Sequence, residues 1–483
     1  MSNVIPFPRP DVVAGLSATV GRRLGAWKME SNKSASSFRQ FEEELAVLFR
    51  EALAAALGEA LEAADEASNA VLVEGSVCRR VLTENKTYMT SAGPVSVRRG
   101  LFRDRKRKDV RSFAVMEKRL GIIDGFWTPA AAGQALWMVT QMVPQKAAEA
   151  MARLGGMTPS KSSLDRLPKS VSKRWEEHRD ELERALFETQ QIPDNTAVLA
   201  VALDGVYAPI AKDEQEESHV AKRRRKHAAG LAARGPDAYR EVGCASIAFY
   251  DSDTNALGAV RFGRAPEFKK LGVKAMLEAQ LRALLERHPH LEVVFLSDGA
   301  PDHWEFFDSL GIEGHQSLDY FHAAEHLNAA LGAAYGEGSK KARRRFVELG
   351  HILVEEQGGA DTVRRSFVSL ASRKGRSAHA QRVLKRAVRY FKLHRDRMEY
   401  WKLRALSLSI GSGVMEAACK TLVAQRLKLS GQRWSVKGAQ AILTARGWDQ
   451  SKRFDEAFAL LAALYEQPVA TFTPLAGPHL ASG

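Results

Sequence analysis

The spacing of apolar residues divides the chain into stretches of different kind. From Ser37 they recur every three or four positions through SSFRQFEEELAVLFREALAAALGEALEAADEA, with a serine cap and acids in the first turns. That pattern predicts one or two amphipathic helices over 37–70, with an apolar face for packing or dimerisation. Between Val71 and Phe113 the period shortens to two: VLVEGS, RRVLTE and KTYMTSAGPVSVRRG alternate and are broken by Gly-Pro. A small β-meander with a basic tail is expected over 71–127. Helical spacing returns in TPAAAGQALWMV, PQKAAEAMARL and TPSKSSLDRLPKSV, the last two separated by Gly155-Gly156. These predict a helix-turn-helix-like module, which together with a polar linker helix (Lys173 to Glu188) fills 128–190. Residues 1–36, rich in Pro, Ser and Gly and without a period, are expected to be a flexible arm, and 466–483 a flexible tail.

A continuous β-prone run, AVLAVALDGVYAPI, opens a different region near Thr196. Unbroken apolar character marks a strand buried on both faces. Arg240 to Asp251 and Ala259 to Phe262 read as two further antiparallel strands, and Glu267 to Arg287 as a helix. Leu291 to Ser297 and His315 to Asp319 then read as strands, each followed by a helix. Three strands and then alternation with helices is the order of the ribonuclease H-like fold. The expected core occupies 195–336 and closes with helices over 409–465. Between them, 337–408 is nearly all helical and too long for a connection, so it reads as an inserted helical subdomain. The basic stretch Lys222 to Gly235 lacks apolar period and reads as a loop. The fold class is therefore multidomain α/β and α: a ribonuclease H-like mixed-sheet core with an all-α insertion, preceded by helical, small β and helix-turn-helix regions.

Charge narrows the partners. The 483 residues carry a net charge of +14, which favours a polyanion, and double-stranded DNA is the leading one. No apolar run is long enough to span a membrane, so no membrane partner is expected. Three scattered cysteines (Cys78, Cys244, Cys419) without a CxxC pair point to a reduced, cytosolic protein without structural zinc. Arg98, Arg99, Arg103, Arg105, Lys106, Arg107, Lys108 and Arg111 are dense enough to grip a phosphate backbone, although a solvated face reads the same way. On the third helix of the trihelical module, Ser160, Lys161, Ser162, Ser163 and Arg166 are placed to face a major groove, with a plain helix bundle as the alternative.

The chemistry rests on carboxylates. Asp298 ends a strand at Asp-Gly, and Asp204 lies within or at the end of the first core strand. Ile410-Gly411-Ser412-Gly413 signals a helix start that puts Glu416 in its first turns. Acids at strand tips are where α/β sheets place their sites. Phosphoryl transfer by two metal ions needs such carboxylates, and hard oxygen ligands favour Mg²⁺ or Mn²⁺ over zinc. Spacing alone leaves Asp319, Glu325 and Glu416 all eligible as the third acid. His322 and His326 share a helix face but lack a third ligand at matching spacing, so they do not read as a zinc site. Trp434 reads either as a core residue or as a ring that stacks on an unpaired base. Lys420, Arg426, Lys428 and Arg433 give the late helix a basic side suited to a DNA backbone.

The segments ALDGVYAPI, FLSDGAPDHW, DYFHAAEHL and IGSGVMEAACKTLVAQRLKLSGQRWS resemble the core blocks of insertion-sequence transposases of the ISKra4 family, part of the DDE group with a Mutator-like layout. The resemblance spans roughly residues 40 to 455. It implies that Asp204, Asp298 and Glu416 are the metal-binding triad, holding two Mg²⁺ or Mn²⁺ ions. Asp319 and His322 match the D-x-x-H element of such enzymes, where they contact the scissile phosphate or orient an acid. The implied protein binds its element's terminal repeats, hydrolyses a DNA strand and joins the 3′-hydroxyl to target DNA. It would act as a homodimer or larger assembly in the bacterial cytosol, at the nucleoid. Two other readings are a sequence-specific DNA-binding regulator with a non-catalytic core and a structure-specific nuclease on the same fold.

Overall fold

The computed structural model describes residues 10–31, 33–104, 106, 111–211, 239–411 and 413–472. Arg105, Arg107, Lys108, Ser412 and the Lys222 to Gly235 stretch lie outside the described residues. The chain forms two units, one of Met1–Glu177 with Asp455–Gly483 and one of His178–Phe454.

The first unit begins with helices α1 (Pro10–Met29) and α2 (Ala35–Ala63). The expected arm is therefore helical over much of its length. Trp27 stacks on Phe41 at 5.2 Å between ring centroids, an anchor that the polar composition hides. Ser34 starts α2 through reciprocal bonds with Ser37. Strands β1 (Ala70–Val73), β2 (Ser76–Thr90), β3 (Gly93–Asp104) and β4 (Phe113–Ala114) form an antiparallel meander. Leu61 of α2 packs with Tyr88, Val95 and Val97 over its buried face. After the short α3 (Val115–Arg119), the trihelical module is α4 (Pro129–Gln141), α5 (Pro144–Leu154) and α6 (Lys161–Glu177).

The second unit opens with α7 (Arg179–Glu188), so the polar linker is two helices rather than one. Its sheet is built from β5 (Val198–Pro209), β6 (Tyr239–Tyr250), β7 (Ala256–Arg264), β8 (Glu292–Ser297) and β9 (His315–Leu318), in the order β7-β6-β5-β8-β9. The first three are antiparallel, and β8 and β9 run parallel to β5. Helix α8 (Leu271–Arg287) buries Val273, Leu277, Leu281 and Leu284. Helix α9 (Pro301–Ser309) connects β8 to β9, and α10 (Tyr320–Tyr335) follows β9.

Four helices follow: α11 (Lys340–Glu355), α12 (Gly359–Ala371), α13 (Ala378–His394) and α14 (Tyr400–Ala405). The late helix runs from α15 (Gly413–Ala418) through a wide π turn (Cys419–Ala424) to α16 (Gln425–Leu427). Met415, Ala418, Cys419, Leu422 and Leu427 share one core with Ala200, Ala202, Val294 and Leu296, and this contact seats the helix on the sheet. Helix α17 (Val436–Gln450) completes that layer with Ala439 and Leu443.

The C-terminal elements differ from expectation. Helix α18 (Phe454–Ala463) falls almost wholly in the first unit, and the tail carries a short strand, β10 (Ala470–Thr471), that pairs with β1 through Val71↔Thr471.

Candidate active site

Parallel register brings the acids together. The last β5–β8 pair is Ala202↔Leu296, and the last β8–β9 pair is Ser297↔Leu318. Continuing both registers by one or two residues sets Asp204 opposite Asp298 and Asp298 opposite Asp319, a row of three carboxylates in which Asp204 lies inside β5, paired with Cys244, and the other two stand one residue past the ends of β8 and β9. Paired strands lie about 4.8 Å apart. Side chains alternate faces along a strand, so Asp204 and Asp298 lie on the side of Ala202 and Leu296, which the late helix covers.

Asp298 is held by three donors, all on Oδ1: the Ala300 amide at 3.0 Å, the Ser297 hydroxyl at 3.2 Å and His303 Nδ1 at 3.5 Å. Among the described residues none reaches Oδ2. Burial opposes the charge, but the His303 contact and the Ala300 amide win and hold the carboxyl well below the usual range. Gly299 takes φ +95°, and a Cβ there would stand 2.9 Å from the His394 ring. Only glycine fits both demands.

His303 is 1% exposed and belongs to a longer chain of contacts. Its Nδ1 meets the Ser297 hydroxyl at 2.9 Å and its Nε2 meets Lys270 Nζ at 3.1 Å, while Lys270 also pairs with Glu241 at 2.9 Å. An ammonium only donates, so Nε2 accepts, and the ring proton sits on Nδ1 facing Ser297 and Asp298. Lys269 and Lys270 both adopt left-handed backbone (φ 49° and 57°), strain that these two contacts to Lys270 offset.

Asp204 has the opposite electrostatics. Burial raises its pKa, as does the charge of Asp298, against a 2.6 Å bond from the Gly205 amide. Cys419 donates its thiol to Asp204 Oδ2 at 3.4 Å, from the first residue of the π turn. Such turns often mark functional sites. Glu416 lies one helical turn before Cys419 and is exposed. Together Asp204, Asp319, His322, Glu325, Glu416 and Cys419 line a cleft of about 670 Å³.

Asp319 is 3% exposed and caps α10 by accepting the Phe321 amide at 3.1 Å. His322 lies between Asp319 (3.9 Å) and Glu325 (3.6 Å). His326 instead stacks on Tyr390 of α13 at 3.7 Å. Among the described residues no group of three His, Cys, Asp or Glu side chains is close enough to hold a metal ion. Asp204, Asp298 and Asp319 nonetheless offer hard carboxylate oxygens of the kind a divalent cation takes, and a cation would offset the repulsion between Asp204 and Asp298.

The expected DNA contacts divide. Lys420, Lys428 and Arg433 are exposed on the late segment. Arg426 is not, and the expectation for it is corrected: it is 1% exposed, lies 4.9 Å over the Trp434 ring, and burial lowers its pKa to about 10. Trp434 packs against the core and donates its indole N–H to the Leu427 carbonyl at 3.2 Å, so the core reading describes its place here. In the first unit Lys106, Ser160, Lys161 and Arg166 are exposed and Arg103 is half-buried. Ser160 also accepts the Ser163 amide at 3.1 Å and so caps α6. Arg99, part of the basic tail, is buried on Glu84 and Glu117. Sequence reading missed Cys419, His303, Lys270, Tyr390 and His394. Only His303, on the first turn after the strand tip, leaves a local signal.

No family model matches the chain, and no curated protein matches it. Among solved structures it is similar to the Drosophila P element transposase strand transfer complex, at 14% identity and a TM-score of 0.25, over 71% of this chain and 82% of that one.

Proposed function

We propose that this chain is a DNA transposase of the DDE type, akin to the ISKra4 family, acting in the bacterial cytosol. The observation that carries the reading is the row of acids: Asp204 within β5 and Asp298 just past the end of the neighbouring parallel β8, on the side that the late helix covers, with Glu416 of that helix lining one cleft with Asp204 and Asp319. The strand order β7-β6-β5-β8-β9, three antiparallel and two parallel, supports a ribonuclease H-like core. Asp204, Asp298 and Glu416 would hold Mg²⁺ or Mn²⁺, two ions per site. Bound ions of this kind supply Lewis-acid activation of the attacking oxygen and charge stabilisation at the leaving oxygen.

The residues have separable tasks. Asp298 keeps its charge through the Ala300, Ser297 and His303 donors and presents Oδ2. Asp204 is steadied by Gly205 and Cys419. Asp319 shapes the floor of the cleft by capping α10, and His322 stands at the wall beside it. Water and then a 3′-hydroxyl serve as successive nucleophiles in two in-line displacements at phosphorus, without a covalent protein–DNA intermediate. Two DNA ends must be held together, so a homodimer or larger assembly on DNA is part of the proposal. Exposed Lys106, Ser160, Lys161 and Arg166, with Arg103, would bind terminal repeats, and Lys420, Lys428 and Arg433 would follow the end near the cut.

The test uses the full chain with a labelled duplex of the DNA that flanks its own gene, with Mg²⁺, a target plasmid and product sizing. Cleaved ends and then joined products are expected. Cleavage without joining would point to a structure-specific nuclease. Binding without cleavage would point to a DNA-binding regulator.

A further inference from the structure

Helix α13 of the insertion is two-faced. Ala380, Leu384, Ala387, Phe391 and His394 are buried along one side. Arg382, Lys385, Arg386, Arg389 and Lys392 are all exposed. At ~100° per residue those five cations fall within about 120° of one another, on the side opposite the buried row. From Ala378 to His394 the helix contains no Asp or Glu. Among the described residues none of the five has an ion pair or hydrogen bond. An ordinary solvated face interleaves acids with bases, because unrelieved like charge on a helix is destabilising. Elsewhere single cations of basic stretches pair with acids, Arg99 with Glu84 and Glu117, Arg345 with Glu348, and Arg364 with Asp361, whereas on α13 five in a row along one face do not.

The stripe also leads to the acids. Tyr390, on its flank, stacks on His326 of α10, and His394 packs against Gly299 beside Asp298. Burial lowers the pKa of His326, and Arg386 lowers it further, which puts that cation close to the helix lining the cleft. From Arg382 to Lys392 the rise is about 15 Å, comparable to four phosphate steps of one strand at ~3.4 Å.

We propose that this face of α13 is a DNA-binding surface, holding the phosphate backbone of double-stranded DNA where it approaches the acid cleft. Resting on the transposase reading, it gives the insertion a task in that reaction: to grip the duplex next to the cut. Contacts of this type fix position without reading sequence. They are also measurable, because each phosphate neutralised contributes about 0.9 to the slope of log affinity against log salt concentration.

The experiment measures that slope for the full chain on a duplex several helical turns long, in EDTA so that no cleavage occurs. A triple variant, Lys385→Gln, Arg386→Gln and Arg389→Gln, is compared with a control triple of equal charge change on exposed positions elsewhere in the unit, Arg184→Gln, Arg282→Gln and Lys452→Gln. The α13 triple should lower the slope by about 2.7, and the control by much less. Equal slopes for the two triples would overturn the proposal and leave a solvated face. The outcome is separable from the catalytic reading. A wild-type protein that binds with the α13-dependent slope but never cleaves retains this surface and loses the transposase. A protein that cleaves normally with an unchanged slope in the α13 triple does the reverse.

Discussion

The two acids of one site should respond oppositely to the same substitution. Asp204→Asn removes a charge that burial and Asp298 both disfavour, so it should stabilise the protein by about 0.5–2 kcal/mol, the usual gain when a functional site's strain is relieved. Asp298→Asn replaces charge-assisted bonds from Ala300, Ser297 and His303 with weaker neutral ones. A carboxylate about a third exposed is partly screened, which reduces that loss to about 1 kcal/mol. The variants should therefore differ by about 2 kcal/mol, or about 4–8 °C in melting temperature for a unit of this size. Differential scanning calorimetry at neutral pH makes the comparison.

The pH dependence follows from the directions of the shifts. Asp298 has a depressed pKa, so its stabilising contribution is present above the ordinary carboxyl pKa of ~4 and is lost as pH falls from there towards its lower folded value. Asp204 has a raised pKa, so its destabilising contribution is present above that folded value and is relieved as pH falls through it towards the ordinary one. Acidification should close the gap between wild type and Asp204→Asn first. Equal destabilisation by both substitutions at neutral pH would refute the electrostatic account of the site.

Three further outcomes are expected. Tyr390 keeps a buried hydroxyl without a partner among the described residues, so Tyr390→Phe should raise stability by about 1 kcal/mol in thermal melts; a loss would reveal a partner for that hydroxyl. His303→Leu leaves Lys270 and Ser297 each short of a contact and should cost about 2–4 kcal/mol. His303→Asn keeps a donor near the Nδ1 position and should restore DNA cleavage over His303→Leu, whereas equal activity would reduce His303 to packing. Trp434→Leu should lower the melting temperature, since the ring packs in the core under Arg426; an unchanged melt with weaker DNA binding would return the ring to a stacking role.

The adjacency of Asp204 and Asp298 is legible because β5 is buried on both faces and therefore reads as one apolar run, and because strand order fixes which strands are neighbours. The third acid is less so. Glu416 reaches the cleft through Met415, Ala418 and Leu422 packing on Ala202 and Leu296, and an apolar pattern gives a helix its buried face without naming the partner. Charge was the least readable property. Arg99 and Arg426 look like surface cations in the sequence, yet each is buried on specific partners, while the unpaired stripe of α13 looks like any basic helix. The π turn at Cys419 and the left-handed Lys270 depend on tertiary contacts, and neither leaves a local trace. Helix α1 was missed because its anchor is a single tryptophan.

The most direct test of the central claim is single-turnover cleavage of the labelled end duplex in Mg²⁺ by wild type and by Asp298→Ala, with DNA binding measured on the same samples. The account predicts cleavage by wild type, none by Asp298→Ala, and binding within a few-fold for both. Cleavage by Asp298→Ala at the wild-type rate would contradict it.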